Sequence, residues 1–157
     1  MMTIHSRWAG VLLVVLPLIL SCEGEPAARR GPAARVDSTY VAEAVFEYDS
    51  AAFREISWPD QALALERGET VWQYSCQWCH GLEGEGKQGL LLRGDTFSTP
   101  SLLEPDWHLA GRPWELRRRI FAGSELGMPH WGLVGLDRRD VDAVARYIFS
   151  GLREPSR

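Results

Sequence analysis

The sequence predicts an all-α fold of three to five helices. Two observations favour it: apolar side chains recur at helical spacing in several segments, and helix-capping residues stand at the ends of those segments. No segment alternates convincingly as a strand, and no internal repeat is visible. The chain of 157 residues is therefore expected to form one small helical domain behind an amino-terminal extension.

Residues 1–21 are predicted to be a secretion signal of the lipoprotein type. One basic residue precedes an apolar run at 9–20, which is shorter than the roughly 20 apolar residues of a membrane-spanning helix. Ser21 and Cys22 follow directly and resemble a bacterial lipobox, in which a small residue precedes the Cys that is lipidated and becomes the new amino terminus. An uncleaved amino-terminal anchor is the alternative.

Residues 22–39 are expected to form a flexible tether. The stretch 23–35 has no large apolar side chain, so it cannot bury a core of its own. Loss of residues 1–21 would remove one Arg and no acidic residue, which changes the formal charge from −4 to −5. This acidic balance argues against a nucleic-acid partner.

Residues 40–58 are predicted to be an extra amphipathic helical segment that ends before Trp58 and Pro59, at which point the main domain, 59–157, begins. Its apolar positions recur at helical spacing: Val41, Ala44, Val45, Tyr48, Ala52, Phe53 and Ile56. Two interpretations stay open, because this segment could cover the main domain or dock a partner.

Three helices are predicted in the main domain. The first runs from Asp60 to about Ser75. The second is short, with Pro113 at its first position and Gly123 as its C-terminal glycine. The last has Asp137 as its N-cap and is expected to stop at Gly151.

The first of these helices leads into the motif C-x-x-C-H at residues 76–80, the attachment signature of a c-type haem. Cys76 and Cys79 would add to the two vinyl groups of one porphyrin, and His80 would then face the iron. A structural zinc site is the rival interpretation, but it needs four ligands, and no second Cys pair or H-x-x-x-H follows. The motif therefore predicts one covalent haem c.

Met128 is the predicted second axial ligand. It is the only Met left if residues 1–21 are removed, and it lies between Gly127 and Pro129, in a segment that cannot continue a helix. A thioether favours ferrous iron and raises the reduction potential. His108 and His130 are the competing ligands, and each is more simply interpreted as a surface histidine.

His80, Met128 and the surrounding helices resemble the class I cytochrome c family over roughly residues 65–151. The resemblance implies a cytochrome c fold of three to five helices around one haem. It also implies that the first helix of the domain crosses the last, with a glycine and aromatic side chains at the crossing. The matching residues are Gly68, Trp72 and Tyr147.

The same resemblance implies that a proline carbonyl accepts the Nδ1 proton of the haem histidine. Pro100 matches this position best, and Pro105 is the alternative. Such a bond would fix the imidazole tautomer.

A basic run, Arg117 to Arg119, is interpreted as a solvated helix face, because successive helical residues point about 100° apart. Glu115 is expected to pair with Arg119 one turn later.

The leading hypothesis is a mono-haem cytochrome c, lipid-anchored on the periplasmic face of a bacterial inner membrane. It would carry single electrons between redox partners, or serve as the electron-transfer subunit of a respiratory complex, and would have no catalytic residue of its own. The alternative is a haem-based gas sensor or a peroxidase-like enzyme with a displaceable Met128. No distal motif supports that alternative.

Overall fold

The computed structural model of this chain describes residues 37–92 and 95–153. Helices dominate, which confirms the predicted fold class. The elements follow in this order: α1 (Ser38–Glu47), α2 (Ser50–Arg54), α3 (Gln61–Val71), a first π-helical turn (Trp72–Cys76), α4 (Gln77–His80), β1 (Lys87–Leu92), β2 (Asp95–Thr99), α5 (Pro113–Ala122), α6 (Trp131–Val134), α7 (Arg138–Tyr147) and a second π-helical turn (Ile148–Leu152). None of the helices within these described ranges is long and apolar enough to cross a membrane.

The predicted signal at 1–21, Cys22 and the tether up to residue 36 lie outside the described residues. The tether was predicted to reach residue 39, but α1 already begins at Ser38. Asp37 begins this helix as its N-cap, because its carboxylate accepts a hydrogen bond from the backbone N–H of Thr39.

The amphipathic helical segment predicted over residues 40–58 consists of two helices in the structure. Tyr48 has extended backbone, and Asp49 then caps α2 by accepting hydrogen bonds from the N–H groups of Ala51 (2.8 Å) and Ala52 (3.2 Å). The apolar periodicity crosses this break, so only the Asp at position 49 signals it. Phe53 of α2 belongs to the central hydrophobic core.

Helix α3 begins as predicted, with Asp60 accepting a hydrogen bond from the N–H of Leu63 at 2.9 Å. The sequence predicts a plain helix to about Ser75, but the chain is π-helical from Trp72 to Cys76 before α4 continues to His80. A π-helical turn inside an α-helix is most often found at a functional site. Here it ends at Cys76, the first residue of the attachment motif.

Helices α3 and α7 cross at Gly68, as the resemblance implied. A Cβ atom at Gly68 would lie 2.2 Å from the carbonyl oxygen of Ala143 and 2.6 Å from Cβ of Tyr147, so only glycine allows this approach. The ring centroids of Trp72 and Tyr147 lie 6.4 Å apart beside the crossing. Trp72 is almost fully buried and links the crossing to the core.

The carboxy-terminal helices confirm three predicted boundaries and correct a fourth. Pro113 begins α5, and Gly123 ends it with φ of 71°. Asp137 caps α7 by accepting from the N–H of Asp140 at 2.8 Å. Gly151 does not end this helix, because the chain continues into the second π-helical turn.

The antiparallel hairpin of β1 and β2 is a correction to the prediction that no segment forms a strand. Leu90 pairs with Phe97 and Leu91 with Thr96, and the register shifts between Lys87 and Leu90. The strands are short and lack the alternation that identifies a half-buried strand. The hairpin lies directly after the attachment motif in the chain and supports it, as described below.

Candidate haem site

The attachment turn presents two thiols without a disulfide bond between them. Cys76, at the end of the first π-helical turn, is 7% exposed, and Cys79 in α4 is half-buried. Burial raises the pKa of the Cys76 thiol to about 12 and also raises the pKa of Cys79. Both thiols are therefore protonated at neutral pH, which argues against a nucleophilic or thiol-redox role for the pair.

His80 ends α4 with a half-buried imidazole beside Trp72, the ring centroids being 6.1 Å apart. Its Nδ1 atom is buried and has no hydrogen-bond partner among the described residues. Burial lowers the pKa of His80, because the charged imidazolium is poorly solvated there. The side chain is thus a neutral imidazole, the form that binds a metal ion.

The hydrogen bond implied between His80 Nδ1 and the Pro100 carbonyl is absent from this structure, since Nδ1 has no partner. Pro105 does not supply one either. The backbone of Pro100 instead lies against the loop that follows the motif: a Cβ atom at Gly86 would lie 2.8 Å from the carbonyl carbon of Pro100. Gly86, with φ of 81°, is the residue that permits this close approach.

Side chains of the hairpin hold the end of the attachment helix, and sequence reasoning missed them. The Thr99 hydroxyl donates to the carbonyl of Cys79 and accepts a hydrogen bond from the N–H of Lys87 at 2.9 Å. The Lys87 ammonium donates to the carbonyl of Trp78 at 2.7 Å. These contacts satisfy carbonyl groups that the last turn of a helix leaves unpaired. They join residues 9 to 20 positions apart, so no local pattern reveals them.

Met128 lies in a tight loop after α5 and packs, partly buried, against the same hydrophobic core that contains Cys76. The Met128 carbonyl accepts from the N–H of Ser124 at 2.9 Å, and the N–H of Gly127 donates to the Ser124 carbonyl at 3.1 Å. A Cβ atom at Gly123 would lie 2.5 Å from the Met128 carbonyl oxygen. The loop is therefore closed by hydrogen bonds between its own residues, and it packs against the end of α5.

The two competing histidines occupy different surroundings. His108 is exposed, in agreement with its interpretation as a surface residue. His130 is half-buried, its Nδ1 is buried without a hydrogen-bond partner among the described residues, and its ring stacks on Tyr40. The interpretation of His130 as a simple surface histidine is therefore wrong.

The basic run agrees with its interpretation as a solvated face at Arg118 and Arg119, which are exposed, but not at Arg117. Arg117 is mostly buried, and its Nε lies 2.9 Å from Oδ1 of Asp142, a carboxylate whose side chain is 1% exposed. Oδ2 of the same carboxylate accepts from Nε of Arg146 at 2.7 Å and from Nε1 of Trp58 at 2.8 Å. Glu115 pairs with an arginine three residues before it instead of with Arg119. This Asp142 cluster joins α5, α7 and the segment before α3.

The residues present fit a covalently bound haem. Two free thiols and a neutral imidazole follow one another on one helical turn. Met128, the only methionine in the described residues, packs against the core that contains Cys76. This donor set of two thiols, one imidazole and one thioether is that of a His/Met c-type haem.

A family model with the description "Cytochrome C oxidase, cbb3-type, subunit III" matches residues 63–148. Among curated proteins, the chain is 33% identical over 87 residues to the cbb3-type cytochrome c oxidase subunit CcoP of Azospirillum brasilense, covering 55% of this chain and 28% of that protein. It is 28% identical over 100 residues to CcoP of Rubrivivax gelatinosus, covering 60% of this chain and 30% of the relative. The chain thus spans less than a third of the length of these relatives. No solved structure matches it at a significant level.

Proposed function

Because this chain belongs to the family described as cytochrome c oxidase, cbb3-type, subunit III, we propose that it is a c-type cytochrome that carries single electrons for a membrane respiratory complex. It does so as a subunit of that complex or as a carrier between redox partners. The observation that carries the proposal is the arrangement at residues 76–80, where two thiols free of disulfide bonding precede a neutral, half-buried imidazole.

One haem c, bound through Cys76 and Cys79, would supply the one-electron iron couple. His80 would hold the iron through Nε2, since its Nδ1 is buried in the protein. The hairpin contacts of Thr99 and Lys87 hold the helix that carries these ligands. A rigid ligand frame suits electron transfer, because the iron geometry then changes little between oxidation states.

Met128 is proposed as the second axial ligand. The closed loop at 123–130 and its packing against the core support this role, because a ligand on a rigid loop stays in place in both oxidation states. Its soft, neutral thioether favours ferrous iron and raises the reduction potential.

Substitution of Met128 by Ala tests this coordination. The oxidised wild-type protein should show the weak near-infrared methionine-to-ferric charge-transfer band, and Met128→Ala should abolish the band and lower the reduction potential. The ferrous variant should bind carbon monoxide readily and the wild type poorly. Fast carbon monoxide binding by the wild type would instead support the gas sensor or peroxidase-like enzyme.

We place the protein on the periplasmic face of the bacterial inner membrane, tethered through a lipidated Cys22. The short apolar run ending in Ser21 supports this location. Mass spectrometry should find diacyl- or triacylglyceryl Cys22 as the first residue of the mature chain, and Cys22→Ser should leave the precursor unprocessed. Retention of residues 1–21 in the wild-type protein would favour an uncleaved anchor.

A further inference from the structure

The amino-terminal helix α1 touches the loop that carries Met128. Tyr40, in the first turn of α1, stacks on the imidazole of His130, with ring centroids 5.5 Å apart and ring planes 8° from parallel. His130 lies two residues after Met128, whereas Tyr40 lies outside the residues 63–148 that match the family model. Tyr40, which precedes the region matched by the family model, therefore contacts the loop that carries the proposed iron ligand.

Helix α1 is fixed at its other end, so Tyr40 is held in place. Ala44, in the middle of the helix, is fully buried. Tyr48, just after the helix, stacks on Phe53 with ring centroids 5.0 Å apart and meets the edge of Phe121 at 5.6 Å. These contacts attach α1 to the hydrophobic core.

The Met128 loop is held on other sides by close backbone and side-chain packing. A Cβ atom at Gly123 would lie 2.7 Å from the backbone nitrogen of His130, and one at Gly127 would lie 2.7 Å from the Phe97 ring of the hairpin. The imidazole of His130 contacts α1 through its stacking on Tyr40. Because its Nδ1 makes no hydrogen bond within the described residues, ring stacking is the contact through which α1 holds it.

We propose that Tyr40 is a positioning residue for the second axial ligand. By stacking on His130, Tyr40 keeps the loop 123–130 closed and so keeps Met128 at the iron. This inference rests on the proposed His80/Met128 coordination and deepens it. It also gives residues 40–58 a role, which is to cover the ligand loop. An open loop would release Met128 and free His130 to move.

The test compares carbon monoxide binding to the ferrous, haem-loaded full chain in the wild type and three variants. Tyr40→Ala should raise the binding rate about fivefold, because loss of an aromatic pair of about 1 kcal/mol favours the open loop by that factor. Tyr40→Phe keeps the ring and should bind at the wild-type rate. Phe46→Ala is the matched control on the same helix, because Phe46 is 86% exposed, and it should also bind at the wild-type rate.

A double-mutant cycle with His130→Ala tests whether Tyr40 affects carbon monoxide binding through its contact with His130. If Tyr40 acts through His130, the two single variants and the double variant should all raise the rate by the same factor of about five. Additive effects would overturn the proposal, as would a Tyr40→Ala rate equal to wild type. Hydrogen exchange of the amides of residues 124–133, which reports loop opening independently of iron, should accelerate in Tyr40→Ala and stay unchanged in Tyr40→Phe.

Met128→Ala, measured in the same series, separates the two claims. If it raises the carbon monoxide rate while Tyr40→Ala does not, His80/Met128 coordination stands and the role of Tyr40 is overturned. If Met128→Ala changes neither the rate nor the near-infrared band, the coordination itself fails, and the role of Tyr40 fails with it.

Discussion

The helical frame of α3, α5 and α7 differs from the ligand side, residues 76–111 and 123–136, in how buried polar groups are satisfied. In the frame, the fully buried Asp142 has two arginines and an indole N–H around it. On the ligand side, the buried Nδ1 atoms of His80 and His130 have no hydrogen-bond partner among the described residues. The buried carboxylate of the frame is thus paired with cations of the protein, although Nε of Arg117 and Oδ1 of Asp142 form an ion pair at 2.9 Å without a hydrogen bond. The two buried imidazole nitrogens of the ligand side have neither a charge partner nor a hydrogen-bond partner among the described residues.

This difference predicts two kinds of variant. Substitutions in the frame should lower the free energy of unfolding and leave the haem spectrum and the reduction potential unchanged. Substitutions on the ligand side should cost less stability and change the haem spectrum. The predictions below run from the largest expected effect to the smallest.

Removal of the Asp142 carboxylate should have the largest effect on stability. Asp142→Ala leaves the mostly buried Arg117 without its counter-charge and should lower the free energy of unfolding by about 4 kcal/mol. Arg146→Ala is the matched control, because Arg146 is 41% exposed and its loss should cost only about 1 kcal/mol. Chemical denaturation measures both. Equal losses in the two variants would contradict the description of Asp142 as the centre of a buried cluster.

The helix crossing should be the next most sensitive point. Gly68→Ala puts a methyl group within 2.2 Å of the Ala143 carbonyl oxygen and should destabilise the protein by about 2 kcal/mol, despite the higher helix propensity of alanine. Ala62→Val, at an exposed position of the same helix, should change the free energy of unfolding by less than about 0.5 kcal/mol. A stabilised Gly68→Ala protein would show that the crossing has room for a side chain.

On the ligand side, Thr99→Val removes the hydroxyl that joins Cys79 to Lys87. The free energy of unfolding should fall by only about 1 kcal/mol. Because the end of the attachment helix loses its support, the visible haem spectrum and the reduction potential should shift, unlike those of Asp142→Ala. Ser98→Ala, at an exposed neighbouring position, should change neither quantity.

The pH dependence of stability should reveal His80 in the haem-free Cys76→Ala/Cys79→Ala protein, in which no iron occupies the imidazole. Burial lowers its pKa in the folded state, so the unfolded chain takes up the proton first as the pH falls below about 6.5. Stability should therefore be complete above that pH and fall below it, by at most about 1.4 kcal/mol per pH unit.

The carboxylates with lowered pKa values, Asp37, Asp49 and Glu85, act in a different range. Hydrogen bonds from backbone N–H groups lower each pKa, so their contributions persist until the pH falls below about 4. Unfolding measured between pH 7.5 and 5.5 should thus report His80. His108→Gln, at an exposed position, should keep the slope, and a flat profile would contradict the burial of His80.

Local signals in the sequence predicted much of this molecule. Asp60, Pro113 and Asp137 each mark a helix start through contacts within a few residues, and all three are where the sequence indicated. The C-x-x-C-H motif at residues 76–80 could equally be recognised from the sequence, because its residues lie next to one another in the chain. Family resemblance added the crossing at Gly68, which joins residues 75 or more positions apart.

Features that depend on distant pairing were not predictable. The hairpin forms from strands without alternating side chains, and the partners of Asp142 lie up to 84 residues away. The stacking of Tyr40 on His130 joins residues 90 positions apart. The hydrogen bond that the resemblance implied between His80 Nδ1 and the Pro100 carbonyl is also absent. The position of this carbonyl depends on how the loop at Gly86 packs against Pro100, which no local pattern indicates.

The central claim is that this chain holds one haem c through Cys76 and Cys79. Intact mass measured under denaturing conditions tests it most directly. The wild-type protein should carry the added mass of one haem, and a Cys76→Ala/Cys79→Ala protein should carry none. A wild-type chain without haem, a chain with two haems, or covalent haem retained in the double variant would contradict the account.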